Sequence, residues 1–312
     1  MENKAISGIM LTLLLTSMLT LAFNIQLVHA SGTIYIRADG SVDPPTAPIQ
    51  REGDIYTFTD DIYDSIVVER NNIAIDGNGY TLQGTGASES RGIDLSGRTN
   101  VTVQNTQIQN FSYGIRLYNS SNSRISGNNV TANNWYGICL FSSSNYNSIS
   151  GNNITANNRY GIGLYESSNN VIYHNNFVDN SQQVYSQTPE YANFWDDGYP
   201  SGGNYWSDYD GVDIKSGPSQ DLPGSDGIGD TPYIIDTANV DHYPLIVPYG
   251  TPLLPTYNLT MATTAGGTTN PALGTYTYTA NSILQVTAIP NTNYLFDHWE
   301  LDSINICSAN PY

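Results

Sequence analysis

The 312-residue chain has a formal net charge of −18, with 10 Lys plus Arg against 28 Asp plus Glu. That balance argues against nucleic acid or anionic membrane as a partner, since both are recognised through basic patches, and it suits solubility outside the cell. Its two cysteines, Cys139 and Cys307, are too few and too distant in sequence to form a disulfide framework.

In chain order, the first feature is a secretory signal over residues 1–30. Lys4 supplies the charge, Ile9 to Phe23 the apolar stretch, and Val28-His29-Ala30 the small-residue cleavage pattern. The alternative is an uncleaved anchor. However, Thr12, Thr16, Ser17 and Thr20 interrupt the stretch, which falls short of the ~20 apolar residues a span needs. No second apolar segment follows, so the mature chain is expected to lack a transmembrane span.

Residues 31–65 are non-repetitive and read as an N-terminal cap leading into Ile73-Ala74-Ile75-Asp76. The sequence then repeats every 22 to 24 residues. Gly-Ile-x-Leu recurs as Gly92-Ile93-Asp94-Leu95, Gly114-Ile115-Arg116-Leu117, Gly137-Ile138-Cys139-Leu140 and Gly161-Ile162-Gly163-Leu164. Gly-Asn-Asn stands at Gly127-Asn128-Asn129 and Gly151-Asn152-Asn153, with His174-Asn175-Asn176 in register. Repeats this short mean a solenoid of stacked coils.

Each coil offers three short strands, such as those around Ile125, Val130 and Ile138-Leu140, separated by Asn and Ser corners that tolerate left-handed backbone angles. No run shows helical spacing. The expected fold class is all-β: a parallel β-helix with three strands per coil, Ile and Leu of Gly-Ile-x-Leu facing inward. Asn129, Asn153 and Asn176 are expected to stack as an inward hydrogen-bonded column. That would make the sequons at Asn129 and Asn153 poor glycan acceptors beside those at Asn100, Asn110, Asn119 and Asn258.

The Tyr-, Asp- and Gly-rich residues 184–250 read as a C-terminal cap, in which Tyr205, Trp206 and Tyr209 seal the last coil. Residues 251–256 form a Pro-containing linker. From residue 257 to 312 the pattern changes to strands over 258–263, 275–279, 283–288 and 294–299, punctuated by Gly266-Gly267, Pro271 and Pro290. This predicts a small antiparallel β domain, marginal in size, that the sequence leaves incomplete.

Three blocks carry a family resemblance beyond the Gly-Asn-Asn coils: Gly203-Asn204-Tyr205-Trp206-Ser207-Asp208-Tyr209, Asp226-Gly227-Ile228-Gly229-Asp230-Thr231-Pro232-Tyr233, and Asp241-His242-Tyr243-Pro244-Leu245. With them, residues 33–249 resemble the right-handed β-helix proteins related to the nitrous-oxide-reductase maturation factor NosD. The tail, with Phe296-Asp297-His298-Trp299, is similar to the β-rich internalin B-repeats of surface proteins. The resemblance implies a right-handed coil and a secreted, cell-surface or periplasmic location, often in carbohydrate-associated roles. The fold itself hosts enzymes, adhesins and scaffolds alike.

Copper is the first ligand that the family name implies. Beyond the signal, the donors are Met261, His174, His242, His298 and the two cysteines, with no paired ligand spacing. Copper is therefore disfavoured. Calcium suits the oxygen-rich segment better, and Asp221, Asp226 and Asp230, among glycines, are its expected ligands, although acidic turns would look the same.

A polysaccharide lyase or hydrolase needs outward carboxylates on neighbouring coils, a hydrolase two of them. The outward column Asp94, Arg116, Cys139, Gly163 offers one acid beside one base, and Asp60-Asp61 and Asp196-Asp197 lack companion motifs. No catalytic residue is assigned. The residues after the repeated Leu include Tyr118, Phe141 and Tyr165, which alternation turns outward as an aromatic stripe suited to sugar stacking. A self-stacked ladder that merely stiffens the sheet is the bland alternative. The Tyr113, Tyr136, Tyr160 column shares parity with the interior Ile and is expected to pack inward. The sequence thus favours a non-catalytic carbohydrate-binding or envelope scaffold module whose partner is a polysaccharide or cell-envelope glycan. An enzyme acting near Asp94 and Arg116 comes next, and copper handling a distant third.

Overall fold

A computed structural model describes residues 32–187, 190–251, 256–279 and 282–311. The signal segment and nearly all of the linker expected from the sequence lie outside the described residues. Among the described residues there are only strands and turns, and no helix is long and apolar enough to cross a membrane. They divide into two compact units, meeting in sequence at Gly250/Thr251.

The first unit is a parallel β-helix with three sheets. A representative coil runs Arg124–Ser126, Asn129–Thr131, Tyr136–Phe141, and the next repeats it as Ser148–Ser150, Asn153–Thr155, Tyr160–Leu164. Each strand pairs in parallel register with its counterpart one coil away: Ile125 with Ile149, Val130 with Ile154, Ile138 with Ile162. One inward side chain per strand, two in the longest, supplies an aliphatic column to every sheet. Ile93, Ile115, Ile138 and Ile162 form one such column, and all are fully buried.

The region read as a cap before residue 65 already contributes to the coil. Thr33–Ile36 pairs in parallel with Ser65–Val68, and the hairpin Ile49–Glu52/Ile55–Phe58 joins a second sheet. Tyr56 and Phe58 cover the first coil from within. At the other end, Trp206 lies between Phe177 and Tyr233, with centroids 4.4 and 4.2 Å away and near-parallel planes. Trp206 thus seals the last coil as expected, while Tyr205 and Tyr209 remain half-buried around it.

The corners hold the unit's polar core. At each of the three corners a column of asparagines runs from coil to coil. The first is Asn128, Asn152, Asn175, Asn204, in which each Nδ2 donates to the next Oδ1 at 2.8–3.0 Å. That same Oδ1 accepts the backbone N–H of the preceding Asn at 3.0–3.1 Å. Asn133, Asn157, Asn180 form the second column and Asn147, Asn170, Asn193, Asn239 the third. These columns satisfy backbone groups that a tight corner leaves without a ladder partner, where each orphan would cost about 1–3 kcal/mol.

The expected ladder residues were one position off. The column Asn129, Asn153, Asn176 is in register, but Asn153 is exposed and Asn129 half-buried. Only the Asn176-to-Asn153 amide bond, at 2.6 Å, links it. It is the first Asn of Gly-Asn-Asn that turns in, because it occupies the corner, whereas the second begins the following strand and faces out. The sequons at Asn129 and Asn153 therefore lie on the outer surface.

The columns need ends. Asp241, fully buried, closes the first: its Oδ2 accepts the Asn204 N–H at 2.8 Å and the Trp206 Nε1–H at 2.9 Å, and its Oδ1 accepts the Tyr243 N–H at 3.1 Å. Gln183 Oε1 receives the Asn180 amide at 2.9 Å, and Asn239 in turn donates to Asp236. Asp241 has its pKa pushed up to about 7, burial outweighing the three N–H donors that favour the charge.

The second unit pairs Thr256–Met261 with Gly274–Thr279, Gly267–Asn270 with Thr287–Pro290, and Trp299–Leu301 with Ile304–Cys307, all antiparallel. Of the strands expected over 283–288 and 294–299, only the ends, Thr287–Ala288 and Trp299, are in a ladder. Tyr294 N–H instead closes a turn on Asn291 O at 3.0 Å, and Ile283 and Leu295 are 100% and 95% exposed. Apolar spacing alone, without a partner edge, does not make a strand.

Two outcomes follow for stability. Asn152→Ala should cost about 3 kcal/mol in denaturant unfolding, because it orphans several buried groups, against under about 1 kcal/mol for Asn153→Ala. For Asp241, the folded pKa of about 7 lies above the ordinary carboxylate value of 3.8. Its stabilising contribution is therefore full below about pH 4 and is lost as pH rises through about 7. Asp241→Asn carries a constant offset from the Tyr243 contact, but its Tm relative to wild type should climb across that window. A flat difference in Tm between the two proteins would refute the assignment.

Candidate functional site

The outer face of one sheet gathers the residues singled out in the sequence. Arg116 pairs with Asp94 on one side and with Cys139 on the other, and Cys139 pairs with Gly163, so the expected outward column exists. Tyr185 continues it. Tyr118 pairs directly with Phe141, and the Phe141 and Tyr165 rings stack at 4.6 Å and 28°. The expected stripe is thus assembled, with Tyr118 43% exposed at one end.

It does not stand alone. Tyr113, Tyr136 and Tyr160 form a second column, with ring centroids 5.5 and 5.1 Å apart. This column, expected to pack inward, faces outward instead. The Gly and Ile that follow each Tyr both turn in: a Cβ on Gly137 would meet Asn157 Nδ2 at 2.9 Å and Ile154 Cγ2 at 3.0 Å. Two consecutive inward residues break the alternation and put the preceding Tyr outside.

The two columns then interlock. Tyr136 meets Phe141 and Tyr165 edge to face at 6.3 and 6.1 Å, its hydroxyl bonds the Tyr165 hydroxyl, and Tyr160 contacts Tyr185 at 4.9 Å. The rings roof over the small residues of the outward column. A Cβ on Gly163 would lie 2.6 Å from the Tyr136 ring, and Cys139 beneath it is fully buried. Burial pushes the Cys139 thiol well up and raises both the Tyr136 and Tyr165 hydroxyls.

Beyond Tyr118 and Phe141 the roof opens. Glu89, Arg91, Tyr113, Arg116, Tyr118 and Phe141 line a depression of ≈ 290 Å³. Beneath it lies Asp94, 4% exposed. Its Oδ2 pairs with Arg91 Nη1 at 2.7 Å and Arg116 Nη1 at 3.5 Å, while its Oδ1 accepts the N–H and hydroxyl of Ser96. Arg116 is held from a third side: its guanidinium lies 4.9 Å from the Tyr118 centroid and 5.8 Å from that of Phe141. Asp94 is therefore an anchor for two guanidiniums, with both its oxygens engaged, rather than a free acid or base.

Arg91 is the residue that the sequence reading missed. It stands where Tyr113, Tyr136 and Tyr160 stand in later coils, immediately before Gly-Ile, and its register partner is Tyr113. The substitution of a cation into an aromatic column was the available signal.

The other expected sites do not assemble. Asp226 accepts the Gly217 and Ile228 N–H groups and the Gln220 amide, and Asp230 accepts those of Ile214 and Lys215. Asp221 does not join them: among the described residues no group of three or more His, Cys, Asp and Glu is placed to hold a metal. Turn amides thus reach two of the three carboxylates expected to hold calcium.

The soft donors fit copper no better. Cys139 is sealed under rings, and Cys307 accepts the Ala309 N–H at 3.2 Å. His174 stacks on Tyr249 at 4.1 Å, His242 pairs with Asp196 at 3.0 Å, and His298 lies between Asp297 and Glu300. Asp60, Asp61, Asp196 and Asp197 likewise serve local turns and bridges.

Alkylation followed by peptide mapping tests the aromatic roof. In the native protein Cys307 should react, with Cys139 slower by about tenfold or more until the chain is unfolded. Equal rates would mean the rings do not cover the sulfur.

No curated protein matches the chain. The periplasmic alginate epimerase AlgG matches at TM-score 0.35 and 22% identity, over 41% of this chain and 32% of its own. The catalytic domain of a GH87 alpha-1,3-glucanase, in complex with tetrasaccharides, matches at TM-score 0.29 and 17% identity, over 55% and 37%. The chain spans about a third of the length of each of these structures. Residues 257–311 match the divergent InlB B-repeat domain. Residues 49–211, more than half of the chain, match the family described as periplasmic copper-binding protein (NosD), and the chain belongs to that family.

Proposed function

We propose that this is an exported, non-catalytic glycan-binding module of the cell surface or extracellular space, and that Tyr118, Phe141 and Tyr165 form its binding stripe. The observation that carries the reading is the combination on one outer face of stacked rings, a Tyr118 ring open to solvent, and an adjoining depression lined by two guanidiniums. Aromatic faces with polar edges stack on the apolar faces of sugar rings while flanking donors engage hydroxyls. The stacked rings are held by the coils beneath them, so little order has to be imposed on binding. Export rests on the signal-like first thirty residues, and the periplasmic family supports it.

An enzymatic reading has less in its favour. The one buried carboxylate of the outward column, Asp94, spends its acceptors on Arg91, Arg116 and Ser96. A hydrolase needs a second carboxyl group across from the first, and the column supplies Arg116, Cys139, Gly163 and Tyr185 instead.

A glycan array followed by titration of the best ligand tests the proposal. Tyr118→Ala should weaken binding about 5-fold, near 1 kcal/mol, with unfolding unchanged because the ring is exposed. Replacing Tyr118, Phe141 and Tyr165 together by Ala should abolish detectable binding. Unaltered binding by the triple variant would eliminate the stripe.

A further inference from the structure

We infer that the depression beside Tyr118 selects an acidic sugar, taking the carboxylate of a uronate unit between Arg91 and Arg116. The inference rests on the stripe reading above and assigns the chemistry at one end of it. In a chain of net charge −18, two of only ten Lys and Arg residues converge on a single buried carboxylate oxygen. Asp94 is the only carboxylate paired with either of them among the described residues, and Glu89 shares the depression without an ion pair to them.

The donors are also free in the right places. Each arginine gives one Nη1 to Asp94 or Ser96, and among the described residues Arg116 Nε and Nη2 have no hydrogen-bond partner. Among the described residues Arg91 Nε is buried without an acceptor, while the Arg91 side chain as a whole is 41% exposed. A planar guanidinium held by Asp94 and flanked by the Tyr118 and Phe141 rings is already fixed in orientation, which suits two-pronged capture of a carboxylate. The ring faces beside it suit the sugar that bears that group. Glu89, exposed, is the one acidic residue lining the depression, and no hydrogen bond or ion pair joins it to the two arginines among the described residues.

The test compares oligogalacturonate with its fully methyl-esterified form, which keeps the backbone and removes the charge, by titration calorimetry on the full chain. The wild-type protein should bind the acid at least about tenfold more tightly than the ester. The preference should shrink as salt rises. Arg91→Gln, at a partly exposed position, and Arg116→Gln should each erase the preference for the acid while leaving ester binding in place. Glu89→Gln should strengthen acid binding. Thermal melts confirm that each variant is folded, and Arg91→Gln decides the matter if Arg116→Gln is not. Equal binding of acid and ester by the wild-type protein overturns the assignment of the anion and spares the stripe. No binding of any glycan by the wild-type protein overturns both.

Discussion

The structure depends on the buried amide-to-amide hydrogen bond. A coil of some 22 to 24 residues has three sharp corners, and at each one backbone N–H and C=O groups leave the sheet ladder and enter the interior. Asparagine answers both needs with one side chain, since its oxygen accepts from the coil before while its nitrogen donates to the coil after. Asn152 does this with Asn128, Asn175 and the Ile125 carbonyl, and is wholly buried. Aliphatic columns then fill the space that the corners enclose. Burial supplies the driving force, and the amides dictate where the chain turns and which residues lie above one another.

The outer face of the aromatic sheet follows from that vertical register. Once Gly and Ile are both committed inward, the residue before them is forced out, and a Tyr at that point in three successive coils becomes a stack. The rings need thickness, and the column beside them shrinks to Cys139 and Gly163 to supply it. Where the small residues give way to Arg116 and Asp94, the roof cannot close, and the depression opens. Depression and scaffold are therefore one pattern, changed where Arg91, Asp94 and Arg116 stand.

Much of this was legible in the sequence. The Gly-Ile-x-Leu and Gly-Asn-Asn spacings give the coil, its inward aliphatics and the Tyr118, Phe141, Tyr165 stripe, because each depends on strict period and alternation. What escaped notice depended on local departures from alternation. Parity misplaced Tyr113, Tyr136 and Tyr160, since a strand with two consecutive inward residues is indistinguishable in letters from an ordinary one. The ladder was assigned to Asn153 rather than Asn152 for the same reason: a corner shifts the count by one. The acidic cap is a different case. Asp226 and Asp230 look like cation ligands in one dimension, yet backbone amides reach them first.

The amides all point the same way along the stack, with nitrogen toward the later coil, so the two ends of the solenoid are chemically unlike. The early end presents backbone donors, and the late end must offer an acceptor, a role that Asp241 fills. Any internal duplication or deletion of a whole coil within the ladder leaves both ends satisfied, because the corner amides it inserts or removes bond as their neighbours do. A gene encoding such a chain can lengthen or shorten by unequal crossing-over in the middle while its two termini stay fixed.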